Sequence, residues 1–235
     1  DSFTDFKEII IKLIEVVIIP LLPLHIFRYL PEHDRERTKS WSIITMFLKV
    51  IIVIFALHVL LLLISIHDSR SHSREESAPP LEEYVTGYAT ALGTQSSAAT
   101  IPVTLAQAVK NGVRENIAIF TVPLCATIHL AGSTMKIVAC AMAIMIMAGE
   151  PVTFSNFSGF IMMLGITMVA APGVPGGAIM AALGILQSML GFNETLQALM
   201  IALYIAMDSF GTACNVTGDG AIAVVVDKIA GKNTP

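Results

Sequence analysis

The stretch "MDSFGTACNVTGDGA", near the end of the chain, contains four polar residues at intervals of three or four positions: Asp208, Thr212, Asn215 and Asp219. At about 100° per residue, the last three lie roughly +40°, −20° and +20° from Asp208, so a continuous helix places all four on one stripe. A break near Asn215 would splay them but still leave them lining one cavity. Because such oxygens suit hard cations such as Na⁺ or a substrate ammonium, the stripe predicts a binding site.

The segments around this stripe are strongly apolar. The 235 residues are 54% hydrophobic and 14% charged, whereas soluble domains have about a quarter charged residues. The charges are clustered, which indicates a membrane-embedded protein rather than a large soluble core. Ionisable groups in such segments face the bundle interior or a water path, although a structural polar network between helices is an alternative.

Other classes of function fit the sequence less well. A net charge of −4 gives no reason to expect a nucleic-acid partner. A catalytic carboxylate pair is conceivable, but no nucleophile–base set or metal-ligand cluster accompanies it, so an enzyme is not expected. The three cysteines have no CxxC spacing and are interpreted as small packing residues.

The first part of the chain holds two apolar segments, at 8–27 and 48–66, each long enough for a transmembrane helix. The charged stretches at 28–41 and 67–80 are predicted to be polar loops.

The rest of the chain repeats one pattern. Two short apolar arms joined by a polar or Pro/Gly-rich centre occur at 81–112 and again at 160–190. Neither arm of the first pair can span a bilayer, so we predict re-entrant hairpins with tips at "TQSSAATIP" and "AAPGVPGG". Each hairpin precedes a transmembrane segment with an interior polar break, at 117–151 and 194–233. Paired interrupted segments indicate a transporter's binding site, although Gly and Pro are also common in ordinary membrane helices.

The stretches "SSAATIPVT", "GVPGGAIM" and "DSFGTACNVTGDGAIA" resemble the dicarboxylate/amino acid:cation symporters, the glutamate and neutral amino-acid transporter family. The resemblance implies an all-α membrane fold with two re-entrant hairpins in an inverted repeat, each followed by a discontinuous transmembrane helix. It also implies Na⁺-coupled symport by elevator-type alternating access in a homotrimer at the cell (plasma) membrane. The implied parts are a scaffold-like helix and loop (1–40), a helix and polar loop (41–80), the first hairpin and broken helix (81–150), and the second hairpin, broken helix and tail (151–235).

The same resemblance implies roles for individual residues. Ser96 and Ser97 would bind the substrate carboxylate, although they could simply cap the hairpin arms. Asp208 would take the substrate ammonium. The other implied substrate-binding residues are Thr212 and Asn215, Gly211 beside them, and Gly173, Val174 and Pro175 at the tip of the gating second hairpin. The implied Na⁺ ligands, through backbone or side chain, are Asp219, Asn215 and Gly132.

Three departures from the family pattern qualify this prediction. Acidic-substrate members carry an arginine where this chain has Gly211, and the alternative arginine position is Gln95, so a neutral amino acid is expected. Ala131 replaces a Na⁺-binding aspartate, which weakens at least one cation site. Nearby, His129 suggests either H⁺ coupling or ordinary packing. Lys136 suggests either a substitute for a cation's charge or a side chain that reaches the membrane surface.

The third departure is length, because family members have about four more spans before the point where this chain begins. A truncated, non-transporting subunit and a channel-like remnant therefore stand as alternatives to a transporter.

Overall fold

The computed structural model of the protein describes residues 34–72 and 81–231, and within these ranges every regular element is an α-helix. The predicted span at 8–27 lies outside the described residues. The chain divides into two compact units, Asp1–Leu48, described only where the first helix begins, and Lys49–Pro235. The helices are α1 Asp34–His72, α2 Leu81–Thr94, α3 Ser97–Lys110, α4 Glu115–Ile128, α5 Ala131–Ala148, α6 Phe154–Val169, α7 Gly177–Leu190, α8 Glu194–Ala206 and α9 Asp208–Ala230.

Helix α1 is longer than its apolar centre. The predicted loops at 28–41 and 67–80 are wrong in part, because the helix starts at Asp34 and continues to His72. Arg, Lys and Glu are good helix formers, so a charged stretch beside an apolar helix can extend it instead of ending it. Within α1, Phe47–Ser71 is long and apolar enough to cross a membrane.

Helices α2 and α3 form the first helix pair, packed against each other with only Gln95 and Ser96 between them. The prediction that the whole tip "TQSSAATIP" is non-helical is therefore wrong. Gln95 adopts a positive φ of 53°, and the Ser96 side chain accepts a hydrogen bond from the Ala99 amide. This N-cap lets the helix resume at Ser97.

Helices α4 and α5 confirm the predicted break in the first interrupted segment, which falls at His129 and Leu130. Taken together, α4 and α5 cover Glu115–Ala148, the second stretch with the length and composition of a membrane span.

Helices α6 and α7 form the second helix pair, joined by residues 170–176 at the predicted Pro/Gly-rich tip. Gly176 has a left-handed φ of 72°, and a Cβ on Gly177 would collide with the Pro172 carbonyl oxygen. These positions allow a tight turn that a larger residue would strain.

The last segment is interrupted, as predicted, at Met207 between α8 and α9; of the two alternatives for the stripe, the continuous helix is confirmed and the break near Asn215 does not occur. Helix α9 is continuous through its glycines because it packs against α2, α3, α4 and α5 at the centre of the bundle. Every residue from Gly211 to Ala221 is buried. Helix α9 is the third candidate span. The order of helix pair and broken helix thus occurs twice, as predicted, while the inverted relation and re-entrant insertion stay predictions.

Candidate functional site

The continuity of α9 keeps its four polar residues on one face. Asp208, Thr212, Asn215 and Asp219 are at most 5% exposed. Buried polar groups need partners, and those partners come from the breaks and tips of the other helices.

The tips of the two helix pairs meet. The Ser96 hydroxyl donates to the Gly173 carbonyl oxygen at 2.7 Å, and the Ala98 amide donates to the same oxygen at 3.1 Å. A Cβ on Gly173 would lie 2.7 Å from the Ala126 carbonyl oxygen, so this close approach requires glycine. Ser96 is therefore both a helix cap, as the plainer alternative held, and a link between the tips.

A small cavity lies between the tips and α9, with a volume of about 10 Å³. This is roughly the space of one water molecule and less than an amino acid needs. Of the predicted substrate-binding residues, Ser96, Pro175 and Gly211 do not line the cavity. The lining residues are Gln95, Ser97, Leu130, Ser133, Pro172, Gly173, Val174, Ala178, Tyr204, Asp208, Thr212 and Asn215.

The Asp208 carboxylate is held from two sides. The Lys136 ammonium lies 3.0 Å from Oδ1, and the Gly176 amide donates to Oδ2 at 2.8 Å. Lys136 has no exposed side-chain surface, and its Nζ lies 3.4 Å from the centre of the Tyr204 ring. Its burial contradicts the alternative that Lys136 reaches the membrane surface, while the alternative that it substitutes for a cation's charge stays a prediction.

Sequence reasoning misses this partnership, although it singles out Lys136 itself. One signal is present, because Gly211 leaves room for the lysine. A Cβ on Gly211 would lie 3.0 Å from the Lys136 Nζ.

Asn215 joins α9 to the start of α5. Its Oδ1 accepts hydrogen bonds from the amides of Gly132 at 2.9 Å and Ser133 at 3.3 Å, and its Nδ2 donates to the Ser133 hydroxyl. These amides belong to the first turn of α5, where an acceptor is required. The Gly132 carbonyl oxygen lies 3.2 Å from the His58 Nε2. Two predicted Na⁺ ligands, Gly132 and Asn215, are thus brought together.

The third predicted Na⁺ ligand, Asp219, is paired with His129. The His129 Nδ1 lies 2.8 Å from the Asp219 Oδ1, and a Cβ on Gly218 would collide with the imidazole ring. The histidine side chain is 24% exposed. It lines a groove of about 540 Å³ together with Leu63, Ser65 and other residues of α1 and α9.

Apolar helices with buried acid–base pairs at their breaks define an integral membrane protein with a polar site inside its bundle. The profile of the sodium:dicarboxylate symporter family matches residues 1–229, and the chain belongs to that family. The family comprises sodium-coupled symporters and not enzymes, as the sequence predicted.

Similarity to individual transporters is partial. The chain is 30% identical to the neutral amino acid transporter B(0) of Rattus norvegicus over 57% of its own length, and 24% of that protein is covered. It is 30% identical to the serine/threonine transporter SstT of Acinetobacter baumannii over 59% of its length, covering 35% of that protein. The human neutral amino acid transporter B(0) is 28% identical over 64% of this chain, with 28% of that protein covered. The chain thus matches about a quarter to a third of these relatives' length.

Proposed function

We propose that this chain is the substrate-binding part of a secondary active transporter that couples inward movement of Na⁺ to symport of a small neutral amino acid. The observation that carries the proposal is the Asp208 carboxylate. It is 3% exposed and faces a small cavity between two helix-pair tips. A buried carboxylate is costly unless it has a cationic partner; Lys136 is that partner in this structure, and a substrate ammonium is the same chemical group.

The remaining proposed substrate contacts come from residues in or beside the cavity. Ser97 lines it and Ser96 precedes it at the start of α3, where amides and hydroxyls favour an anion such as the substrate carboxylate. Thr212 and Asn215 line the opposite wall and would bind the substrate's main-chain groups. The family's serine/threonine and neutral amino acid transporters support this substrate class.

A neutral substrate is favoured over an acidic one by the charges of the site. Gly211 and Gln95 supply no cation, and among the described residues that line the cavity none is an arginine or lysine. Lys136 lies close by, but its charge is already paired with Asp208. A second substrate carboxylate would therefore be buried without a partner, which is expensive.

The coupling cation would be Na⁺, held by oxygens of Asp219, Asn215 and Gly132. Carboxylate and amide oxygens suit this ion. H⁺ is the alternative coupling ion, because His129 contacts Asp219 and an imidazole can carry a proton.

Transport would follow the elevator scheme, with the second helix pair as the gate. Residues 173–176 form its tip, and the Gly176 amide donates to Asp208. Ligand binding at Asp208 would therefore change a contact that the gate itself makes. In this proposal the hairpins are re-entrant, the assembly is a homotrimer in the bilayer of the plasma membrane, and the sequence-derived domain limits hold.

A non-transporting or channel-like remnant is the second candidate function. Two observations favour it: Ala131 stands where the family has a Na⁺-binding aspartate, and Asp208 and Asp219 already contact Lys136 and His129 within the chain.

The test is a thermal-stability measurement on the purified chain in detergent, with amino acids added in Na⁺ or in K⁺. Ligand at 100 times its Kd stabilises the folded state by about 2.7 kcal/mol. We expect a neutral amino acid to raise the midpoint only in Na⁺, and the shift to vanish in Asp208→Ala. A shift with glutamate would refute the neutral-substrate proposal, and no shift with any ligand would favour the remnant.

A further inference from the structure

The buried lysine holds the carboxylate that the proposed function assigns to the substrate. Lys136 presents a primary ammonium to Asp208 Oδ1 at 3.0 Å, and neither side chain is more than 4% exposed. An amino-acid ligand would present the same chemical group to the same carboxylate. Two like charges cannot share one buried oxygen without a large penalty.

The Asp208 carboxylate already contacts the Lys136 ammonium, the Gly176 amide and the Tyr204 side chain, so a ligand ammonium that reaches it competes with these contacts. The Gly176 amide, on Oδ2, belongs to the tip that closes the cavity. Lys136 has a second stabilising contact that does not involve Asp208, because its Nζ lies 3.4 Å from the centre of the Tyr204 ring. A cation held by an aromatic face in a desolvated site retains a substantial part of its stabilisation.

We propose that Lys136 is a tethered competitor for the ligand's amino group and thereby determines the specificity of the site. This inference rests on the proposed role of Asp208. Each contact between a ligand ammonium and Asp208 is offset by the loss of the Lys136 contact. The amino group therefore contributes less to affinity in the wild type than it would without Lys136, and the site discriminates less strongly between an amino acid and the same acid without its amino group.

The experiment compares L-serine with 3-hydroxypropanoate, which is the same molecule with hydrogen in place of the ammonium. Dissociation constants of both are measured by calorimetry on the full chain in detergent and Na⁺, for the wild type, Lys136→Met and Lys136→Arg. In Lys136→Met we expect the preference for serine to rise about tenfold or more, because serine alone supplies the missing cation. Lys136→Arg keeps the charge and should keep the wild-type preference.

The possible outcomes are distinct. If Lys136→Met binds serine with the same preference over 3-hydroxypropanoate as the wild type, Lys136 is not a competitor for the amino group, and the proposed function is unaffected. Serine binding to Lys136→Met but not to the wild type supports the competitor strongly. Failure of both proteins to bind any amino acid removes the proposed function, and the inference with it.

A second pair of variants covers the case in which Lys136→Met does not fold. Tyr204→Leu removes both the ring on which the displaced ammonium would rest and the hydroxyl that bonds Asp208 and Ser133, whereas Tyr204→Phe removes the hydroxyl alone. We expect Tyr204→Leu to weaken serine severalfold more than 3-hydroxypropanoate, and Tyr204→Phe to affect both alike. Equal weakening of both ligands by Tyr204→Leu would contradict the proposal.

Discussion

Two of the three carboxylates of α9, Asp208 and Asp219, are each paired with a basic side chain of the α4–α5 segment, but in different surroundings. Asp208 meets Lys136 in a sealed environment, with side-chain exposures of 4% and 0%. Asp219 meets His129, which is 24% exposed and borders an open groove. Both basic side chains come from the α4–α5 segment, one at its break and one on the second turn of α5.

Each pair also depends on a glycine of α9. Gly211 makes room for the Lys136 ammonium, and Gly218 makes room for the His129 ring. The two glycines are seven positions apart, which is about two helical turns, so they lie on one face. The comparison teaches that one helix face can host a sealed pair and an open pair. The sealed pair suits a ligand that must be enclosed, and the open pair suits a cation that must exchange with water.

The largest effect should come from breaking the sealed pair. Asp208→Asn leaves the Lys136 charge buried without its carboxylate, which should cost about 3–5 kcal/mol of unfolding free energy. Thermal or denaturant unfolding in detergent measures this. Asp227→Asn is the matched control, because its partner Arg114 is 35% exposed and can be hydrated.

Two further results would sharpen or refute that prediction. The double variant Asp208→Asn/Lys136→Met should recover much of the lost stability, because neither charge is then stranded. Equal losses of unfolding free energy in Asp208→Asn and Asp227→Asn would show that burial of the Lys136–Asp208 pair has no energetic consequence.

The next effect concerns the open pair. Gly218→Ala places a methyl group where the His129 ring lies, so the ring must leave Asp219 or the helices must separate. We expect a loss of about 1–3 kcal/mol, as for other overpacked sites. Gly220→Ala is the control on the same helix, since a Cβ there meets nothing within 4 Å. Similar stability of the two variants would show that the ring moves freely.

Much of the fold could be predicted because the signals were local. The break at 129–130, the tip at 170–176 and the stripe on α9 all follow from residue types within a few positions. The alternative break near Asn215 does not occur, because the polar side chains on α9 find partners on other helices and need no interruption. The actual break, at Met207, falls at an apolar residue that carries no local signal.

The candidate site was predicted less completely. The stripe indicates the acceptors, but the donors lie far away in sequence, since Lys136 and Asp208 are 72 residues apart and His129 and Asp219 are 90 apart. The spacing of residues within one helix cannot specify such pairs. Gly211 and Gly218 mark the space left for each cation, but not which residue fills it.

A smaller effect should come from replacing the cation of the open pair. His129→Asn removes the imidazole from the Asp219 oxygen and leaves that oxygen available to Na⁺. We expect a severalfold lower Na⁺ concentration for half-maximal thermal stabilisation, less than the tenfold that about 1.4 kcal/mol would give. His67→Asn is the control, because His67 lines the same groove but is exposed. Loss of the Na⁺ response in His129→Asn would instead make the histidine a support that the cation site requires.

The smallest effect should come from the link between the tips. Ser96→Ala removes the cap of α3 and the hydrogen bond to the Gly173 carbonyl oxygen, and should cost about 1–2 kcal/mol. Thr153→Ala removes the corresponding cap of α6, where the exposed threonine accepts a hydrogen bond from the Asn156 amide. It should cost about half as much.

Amide hydrogen exchange then distinguishes the two roles of Ser96, as the cap of α3 and as the hydrogen bond to the Gly173 carbonyl oxygen. If the Ser96 hydroxyl holds the two tips together, amides at 173–177 exchange faster in Ser96→Ala but not in Thr153→Ala. If only the start of α3 is affected, the Ala98 amide alone is sufficient to hold Gly173 in place. The tip of the second helix pair would then be held by two backbone amide contacts, from Ala98 to Gly173 and from Gly176 to Asp208, without help from the Ser96 hydroxyl.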